Sequence, residues 1–238
     1  EIDDIVQLFK NDNTLVRLNL AALLGKVKDE RSSIEPLLKL AEFDGDWRVR
    51  VNALRALANF KLDGKDEVLK MFRRSFFTGN SYIAMTALTS LGNSAIHLND
   101  STAAGKELLE ALKRIAVNEN NVYIWQLQTE AATALAKLQG PSALPLIHPT
   151  DYPQRLLQAQ LLIAMGMTGE PEAATTLKQY LEENDRVLQR AALEGLQELS
   201  KKNISNKTLV NTTFEAALDA LEQSDVAIVT TAASLLGD

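Results

Sequence analysis

Apolar residues return along this chain in short stripes of one design. Val16, Leu20, Leu23 and Leu24 make the first; Val49, Ala53, Ala56 and Leu57 the second; Ile83, Ala87, Ser90 and Leu91 the third. Positions i, i+4, i+7 and i+8 share one face of a 3.6-residue helix, so each stripe predicts an amphipathic helix. With Leu24 as a landmark, equivalents fall at Leu57, Leu91, Leu135, Met165, Leu196 and Leu236, in steps of 33, 34, 44, 30, 31 and 40 residues. Spacing of this kind marks a repeat architecture in which each unit is one supersecondary element. Eleven positions before the landmark stands a column of Asn13, Asp46, Asn80, Asp185 and Asp225. Their short side-chain oxygens suit the N-cap, where they accept from an otherwise unpaired first-turn N–H. The fourth and fifth units hold Ile124 and Gln154 there, and Asn121 and Asp151 just upstream are expected to substitute.

A more variable helical stretch precedes each landmark helix, at 1–10, 33–43, 65–77, 103–117, 141–148, 171–183 and 207–223. The predicted unit is therefore two antiparallel helices joined by a short turn, and no alternating strand pattern of useful length competes. Two stretches depart from the period. "NSAIHLNDSTAAG", residues 93–105, is a polar insertion between the third and fourth units. "PSALPLIHPTDYP", residues 141–153, holds four of the six prolines. An interior proline removes a helical hydrogen bond and clashes with the preceding turn, so a stunted first helix and a kink are expected there.

The run from Asp46 to Leu57, "DWRVRVNALRAL", resembles HEAT repeats, in particular the short bacterial repeats of phycobilisome-lyase-like proteins. The shared pattern is an Asp before the second helix, a Val-Arg pair, and small residues closing on Ala-Leu-Gly. Arg17 and Arg50 match the arginine of that pattern; Ala84, Gln128, Gln158, Gln189 and Val229 stand at the later equivalents, so a continuous Asp/Arg ladder is not expected. The resemblance implies an all-α fold, a right-handed α-α superhelix or HEAT-like solenoid of about seven helix pairs, covering residues 1–238 as a single repeat domain. It also implies a concave face, lined by second helices, that binds other proteins.

Composition narrows the options further. The 238 residues are 46% hydrophobic but only 5% aromatic, rich in Ala and Leu, which suits helices. No cysteine is present, so disulfide and thiolate chemistry are excluded and the compartment, cytoplasmic or bacterial periplasmic, is left open. No run approaches the length of a membrane span. Net charge is −6, with 14 basic and 13 acidic residues in 1–74 against 11 and 18 in the rest. Such a balance gives no general field for phosphate backbones, so neither nucleic acid nor membrane is an expected partner.

Candidate chemistry is sparse. His97 and His148 each have an Asp three residues on, but spacing supplies no further ligand or orienting group for a metal or general base. "EFDGDW", residues 42–47, alternates carboxylates as a calcium loop does, yet Trp47 and Ala53 occupy the positions that need Gly and Glu, which leaves Asp46 as a cap. Gly25, Gly92, Gly166 and Gly237 all follow the landmark and read as helix ends rather than phosphate cradles. Trp47 and Trp125 share one repeat position beside Arg48, Arg50 and Arg55; base stacking, as in HEAT-like alkylpurine DNA glycosylases, is disfavoured by the charge, and packing over the turn between stacked pairs is expected.

The expected function is a non-catalytic protein–protein interaction scaffold without cofactor or metal. The exposed column along the second helices is expected to be Asn19, Asn52, Thr86, Glu130, Gln160, Ala191 and Thr231, with Arg48, Asn52, Arg55, Tyr82 and Asn19 as the candidate protein-binding residues. Bacterial arrays of similar kind occur beside catalytic domains, cyclophilin-type peptidyl-prolyl isomerases among them, so an accessory region of a larger enzyme is the alternative; a bilin lyase or its chaperone is a third reading. The stripes Ile2, Ile5, Val6, Phe9 and Ile228, Val229, Ala232, Leu235, Leu236 look like internal wedges at the two ends. On that ground a fragment of a longer chain, or self-association through exposed apolar ends, is expected.

Overall fold

Five second helices start on the expected cap. Asn13 accepts from the Leu15 N–H, Asp46 from Arg48, Asn80 from Tyr82 and Ile83, Asp185 from Val187 and Leu188, and Asp225 from Ala227 and Ile228. Each bond satisfies a donor that the helix itself leaves open. In this computed structural model, residues 8–27, 30–62, 64–94, 102–149, 154–223 and 225–237 are described. They form helices α1 (Thr14–Leu24), α2 (Glu30–Phe43), α3 (Trp47–Leu57), α4 (Asp66–Phe76), α5 (Ser81–Gly92), α6 (Ala103–Val117), α7 (Trp125–Gln139), α8 (Arg155–Met167), α9 (Ala173–Leu181), α10 (Arg186–Lys202), α11 (Lys207–Leu221) and α12 (Val226–Gly237). Two 3-10 segments, Leu8–Lys10 and Gly140–Leu146, stand where the first helices of the first and fifth pairs were expected. The described residues contain no strand. The fold is all-α and HEAT-like.

By contact the chain divides into two units, residues 1–115 and 116–238. Within the first, the second helices α1, α3 and α5 pack in succession on one another, while α2 lies on α3 and α4 on α5. Within the second, α7, α8, α10 and α12 pack in succession, with α9 on α10 and α11 on α12. The landmark residues are the reason: Leu24, Leu57, Leu91, Leu135 and Leu196 have no solvent exposure, and Met165 has 4%. Ala53, Ala87, Ala131 and Ala232 are equally sealed, which keeps neighbouring helices close.

Several expectations need correction. Leu23 is not in the wedge; it is 49% exposed, because α1 turns only Leu20, Ala21 and Leu24 inward. Asn121 does not cap α7: Ile124 stands at the cap without a side-chain bond, and Asn121 is exposed with φ 51°. The local organiser is Asn118 instead. Its side chain accepts from the Tyr123 N–H at 3.0 Å and donates to the Tyr123 carbonyl at 3.0 Å and to Gln128 Oε1 at 3.2 Å. Gly166 does stand at the end of α8, one residue before its last, Met167, but it also serves a close crossing. A Cβ at Gly166 would lie 1.9 Å from the Gly195 carbonyl oxygen, and one at Gly195 2.7 Å from that of Leu162, so the pair lets α8 and α10 meet backbone to backbone. Gly25 closes the α1 to α3 contact in the same way, 2.7 Å from the Ala56 Cβ. The stunted fifth first helix is present as the 3-10 turn, with Pro141 at its start and Pro145 inside it. Ile2, Ile5, Val6, Asp151 and most of the 93–105 insertion, with His97, lie outside the described residues.

The arginine column performs a different task from a ladder. Arg50 Nε donates to the Ala41 carbonyl at 2.9 Å, Gln128 Nε2 to the Ala116 carbonyl at 3.1 Å, and Gln189 Nε2 to those of Leu181 and Glu183 at 3.1 and 2.8 Å. In these three pairs the second helix satisfies carbonyls at or just beyond the end of the preceding first helix, a role that Ala84 and Val229 at the same position have no donor to fill. Gln replaces Arg without loss of that role. Arg17 adds a bidentate pair with Asp44, at 2.8 and 3.1 Å, across the α1 to α3 junction.

Two substitutions test this packing. Leu57→Ala should cost about 2–5 kcal/mol by opening a cavity in a sealed wedge. Gly166→Ala should cost about 1–3 kcal/mol or more, since the new methyl meets backbone that cannot step aside. Gly237→Ala, which meets nothing within 4 Å, serves as the control. Urea midpoints read the result; equal midpoints for the two glycine variants would contradict the close crossing.

Candidate protein-binding surface

Three successive second helices present one outward face in the first unit. Helical phase places Asn19 on α1, Arg48, Asn52 and Arg55 on α3, and Tyr82 on α5 along it. Asn19, Arg48, Arg55 and Tyr82 are exposed; Asn52 is half-buried, because its amide donates to the Leu18 carbonyl at 3.4 Å and so ties α3 to α1. Asn59 repeats the device seven residues later, donating to the Gly25 carbonyl at 3.3 Å. Trp47 does not simply cover a turn. Its ring stacks on Tyr82 with centroids 5.2 Å apart and planes 28° from parallel, while the two residues stay 42% and 65% exposed. The stack spans α3 and α5 and leaves aromatic surface open to solvent.

Electrostatics on this face begin at the cap of α3. Arg48 donates through Nε and Nη2 to both oxygens of Asp46, at 3.0 and 2.6 Å, while its own N–H donates to Oδ1 at 2.9 Å. The Arg48 side-chain bonds, and next its backbone bond, hold the Asp46 carboxyl well down, at about 2. The same partnership raises Arg48. Arg55 forms no hydrogen bond or ion pair with the described residues. The other two acids of the 42–47 run are paired as well, Asp44 with Arg17 at 2.8 Å and Glu42 with Arg74 at 3.4 Å.

Beyond the first unit the expected column is uneven. Gln160 is exposed, Thr86, Glu130 and Thr231 are half-buried, and Ala191 is buried at 2% exposure, so Ala191 belongs to the core and not to the surface. The sequence reading missed a groove of about 580 Å³ in the second unit, between α8, α10 and α12, with Ile163, Met167, Arg190, Glu194, Thr230 and Ser234 among its lining. Part of the signal was present: Ile163 and Ser234 lie one helical turn beyond Gln160 and Thr231 on α8 and α12. Thr230 and Thr231 spend their hydroxyls on the Val226 and Ala227 carbonyls, and Arg190 pairs with Glu194 at 2.9 Å. His148 is exposed. Among the described residues, no group of three or more His, Asp or Glu side chains is placed to hold a metal ion, and no helix is long and apolar enough to cross a membrane.

Residues 2–92 match the family model of HEAT repeats. Curated protein sequences give no match. Among solved structures, the chain is similar to the complex of CpcE and CpcF of phycocyanin lyase from a Nostoc species, at 21% identity and a TM-score of 0.56, covering 100% of this chain and 94% of that one. That likeness shows the fold. An engineered protein aligns at 19% identity and a TM-score of 0.49 over 99% of this chain and 67% of that one. Human deoxyhypusine hydroxylase in complex with glycerol aligns at 16% identity and a TM-score of 0.42, covering 99% and 83%.

The depressed carboxyl at Asp46 gives a pH signature. Its folded value lies below the ordinary 3.8, so its stabilising charge is fully present above that value and is lost as pH falls through about 2. Asp46→Asn keeps a capping oxygen, as Asn13 and Asn80 do, but not the Arg48 pair. Melting temperatures of wild type and variant should differ most at neutral pH and converge as pH falls from about 4 towards 2. A gap that stays constant over that range would show that Asp46 does not carry it.

Proposed function

We propose that this chain is a non-catalytic protein-binding scaffold, and that Arg48, Asn52, Arg55, Tyr82 and Asn19 on the second helices of the first unit receive a protein or peptide. The observation that carries the reading is the open Trp47 and Tyr82 stack at the start of α3, next to Arg48, with Arg55 two turns along the same helix. Aromatic and arginine side chains give large, directional contact at small entropic cost and are over-represented at interface hot spots. Phe43 and Phe77 of the same unit are exposed too, but the Trp47 and Tyr82 pair, unlike them, is stacked across two second helices with both rings open to solvent. The likeness to a complex of CpcE and CpcF also supports a partner chain. The same complex is of phycocyanin lyase, which favours a second reading, a bilin lyase component or its chaperone.

Self-association is a further part of the proposal. Val210, Phe214, Leu218 and Leu221 lie at i, i+4, i+8 and i+11 on α11 and are 37–50% exposed, with Val226 of α12 at 79%. An apolar stripe of this kind is costly to leave in water. Ile228, expected from the sequence to be part of the exposed end, is instead 1% exposed in a cluster with Leu193, Ala217, Ala220 and Ala232, and Leu235 packs partly against it.

Capture from an extract of the source organism should recover a protein with wild type and lose it with the Arg55→Glu, Tyr82→Ala double variant. Undiminished capture by the variant would remove this face from consideration. In sedimentation across a concentration series, wild type should associate and Phe214→Lys, Leu218→Lys should not; a wild type that remains monomeric throughout would end the self-association proposal.

A further inference from the structure

We propose that the partner of the first-unit face is an acidic peptide segment that carries at least one large apolar side chain, a step that rests on the protein-binding reading above. The charge distribution is the main argument. Helices α1, α3 and α5 contain Arg17, Arg48, Arg50 and Arg55 but no Asp or Glu. The carboxylates of this unit lie on the other helices, Glu35 and Glu42 on α2, Asp66 and Glu67 on α4, Glu107 and Glu110 on α6, and in the turns just before α1 and α3, at Asp12, Asp44 and Asp46. In a chain of net charge −6 this segregation is not a consequence of overall composition. Arg17 and Arg50 turn inward to Asp44 and the Ala41 carbonyl, which leaves Arg48 and Arg55 on the outer face, with Lys26 just beyond the end of α1. Asp46 at the cap is committed to Arg48.

This arrangement is complementary to carboxylates. Arg55 offers an exposed guanidinium with its full fork of donors, the geometry that takes a carboxylate bidentately. The apolar requirement comes from the neighbours of these cations. Leu15, 64% exposed, Arg48 and Tyr82 each stand two residues after the cap of their helix, so Leu15 and the Trp47 and Tyr82 stack give apolar ground at the level of Arg48, with Arg55 two turns further along α3. A peptide lying across the helices would set carboxylates on Arg55 and Lys26 and an aliphatic or aromatic anchor on the stack. Single-stranded nucleic acid also combines negative charge with stacking bases, but it draws its affinity from many phosphate contacts on a basic track. Three cations in an acidic chain do not make one.

The test uses the full chain and a fluorescent peptide of about twelve residues, rich in Glu with Gly and Ser and a central Phe-Leu pair. Three further probes are the same peptide with Lys for Glu, the same with Ser-Ser for Phe-Leu, and an oligothymidine of equal length. Anisotropy should show binding of the first peptide alone, weakened about tenfold by Arg55→Glu and by high salt, as expected for exposed ion pairs. Tyr82→Ala should weaken it as well, and Lys39→Glu on α2 should not. In a Trp125→Phe background Trp47 is the sole indole, and its emission should shift on binding, which places the peptide on this face independently of the charge variants. Equal binding by Arg55→Glu, equal binding of the Lys or Ser-Ser peptide, or tighter binding of oligothymidine would each overturn the proposal. If the acidic peptide fails while capture from extract still depends on Arg55 and Tyr82, the protein-binding reading stands and the acidic chemistry falls.

Discussion

Everything in this molecule depends on second helices lying close enough to seal one another. A helix pair of this length has more apolar surface than its own two members can cover, so each must be closed by the next. The approach is set by what stands at the contact: alanines at Ala53, Ala87, Ala131 and Ala232, and bare backbone at Gly166 against Gly195. A methyl group at the last of these would overlap the carbonyl opposite, which means that the spacing of α8 and α10 is fixed by backbone rather than by side chains. Because packed interiors tolerate little added volume, that distance has almost no freedom.

Close helices create a second demand. Carbonyls at the ends of the first helices lose water as the next element covers them, and each needs a donor. The column of Arg50, Gln128 and Gln189 supplies it in three pairs, with a guanidinium in one and an amide in two. Asn52 and Asn59 serve the same purpose sideways, from one second helix to the carbonyls of the one before. Polar residues at recurring positions in this chain are therefore mostly structural. What remains on the first-unit face after those bonds are assigned is a short set: Arg55, the outer side of Arg48, Asn19, and the stacked Trp47 and Tyr82. That remainder is what carries the functional reading.

The two units use their second-helix faces differently. In the first, no carboxylate occurs on the helices themselves and the aromatic stack stands proud of the surface. In the second, Arg190 is paired with Glu194 and the hydroxyls of Thr230 and Thr231 are turned to their own backbone, so the groove there offers shape with little unsatisfied polarity. One repeat design thus yields a charged, aromatic surface in one place and a largely self-satisfied concavity in another.

The sequence by itself determined the helices, their pairing and their starts. Helical spacing of Val49, Ala53, Ala56 and Leu57 and the capping oxygens of Asn13, Asp46, Asn80, Asp185 and Asp225 are local properties, decided within a turn or two of chain, so they are readable from residue order. Stunting of the fifth first helix was equally local, being a matter of Pro141 and Pro145. What only the tertiary structure decided was which side of each helix found a neighbour. Leu23, counted in the wedge, is left in water, and Ala191, placed in the exposed column by helical phase, is sealed, because the rotation of a helix about its axis is set by all its contacts together. Gly166 reads only as a helix end until α10 is seen against it, and Trp47 reads as turn packing until Tyr82, thirty-five residues later, lies on its face. Contacts between residues so far apart in the chain leave no mark in either local stretch, and the proposed binding face is made of them.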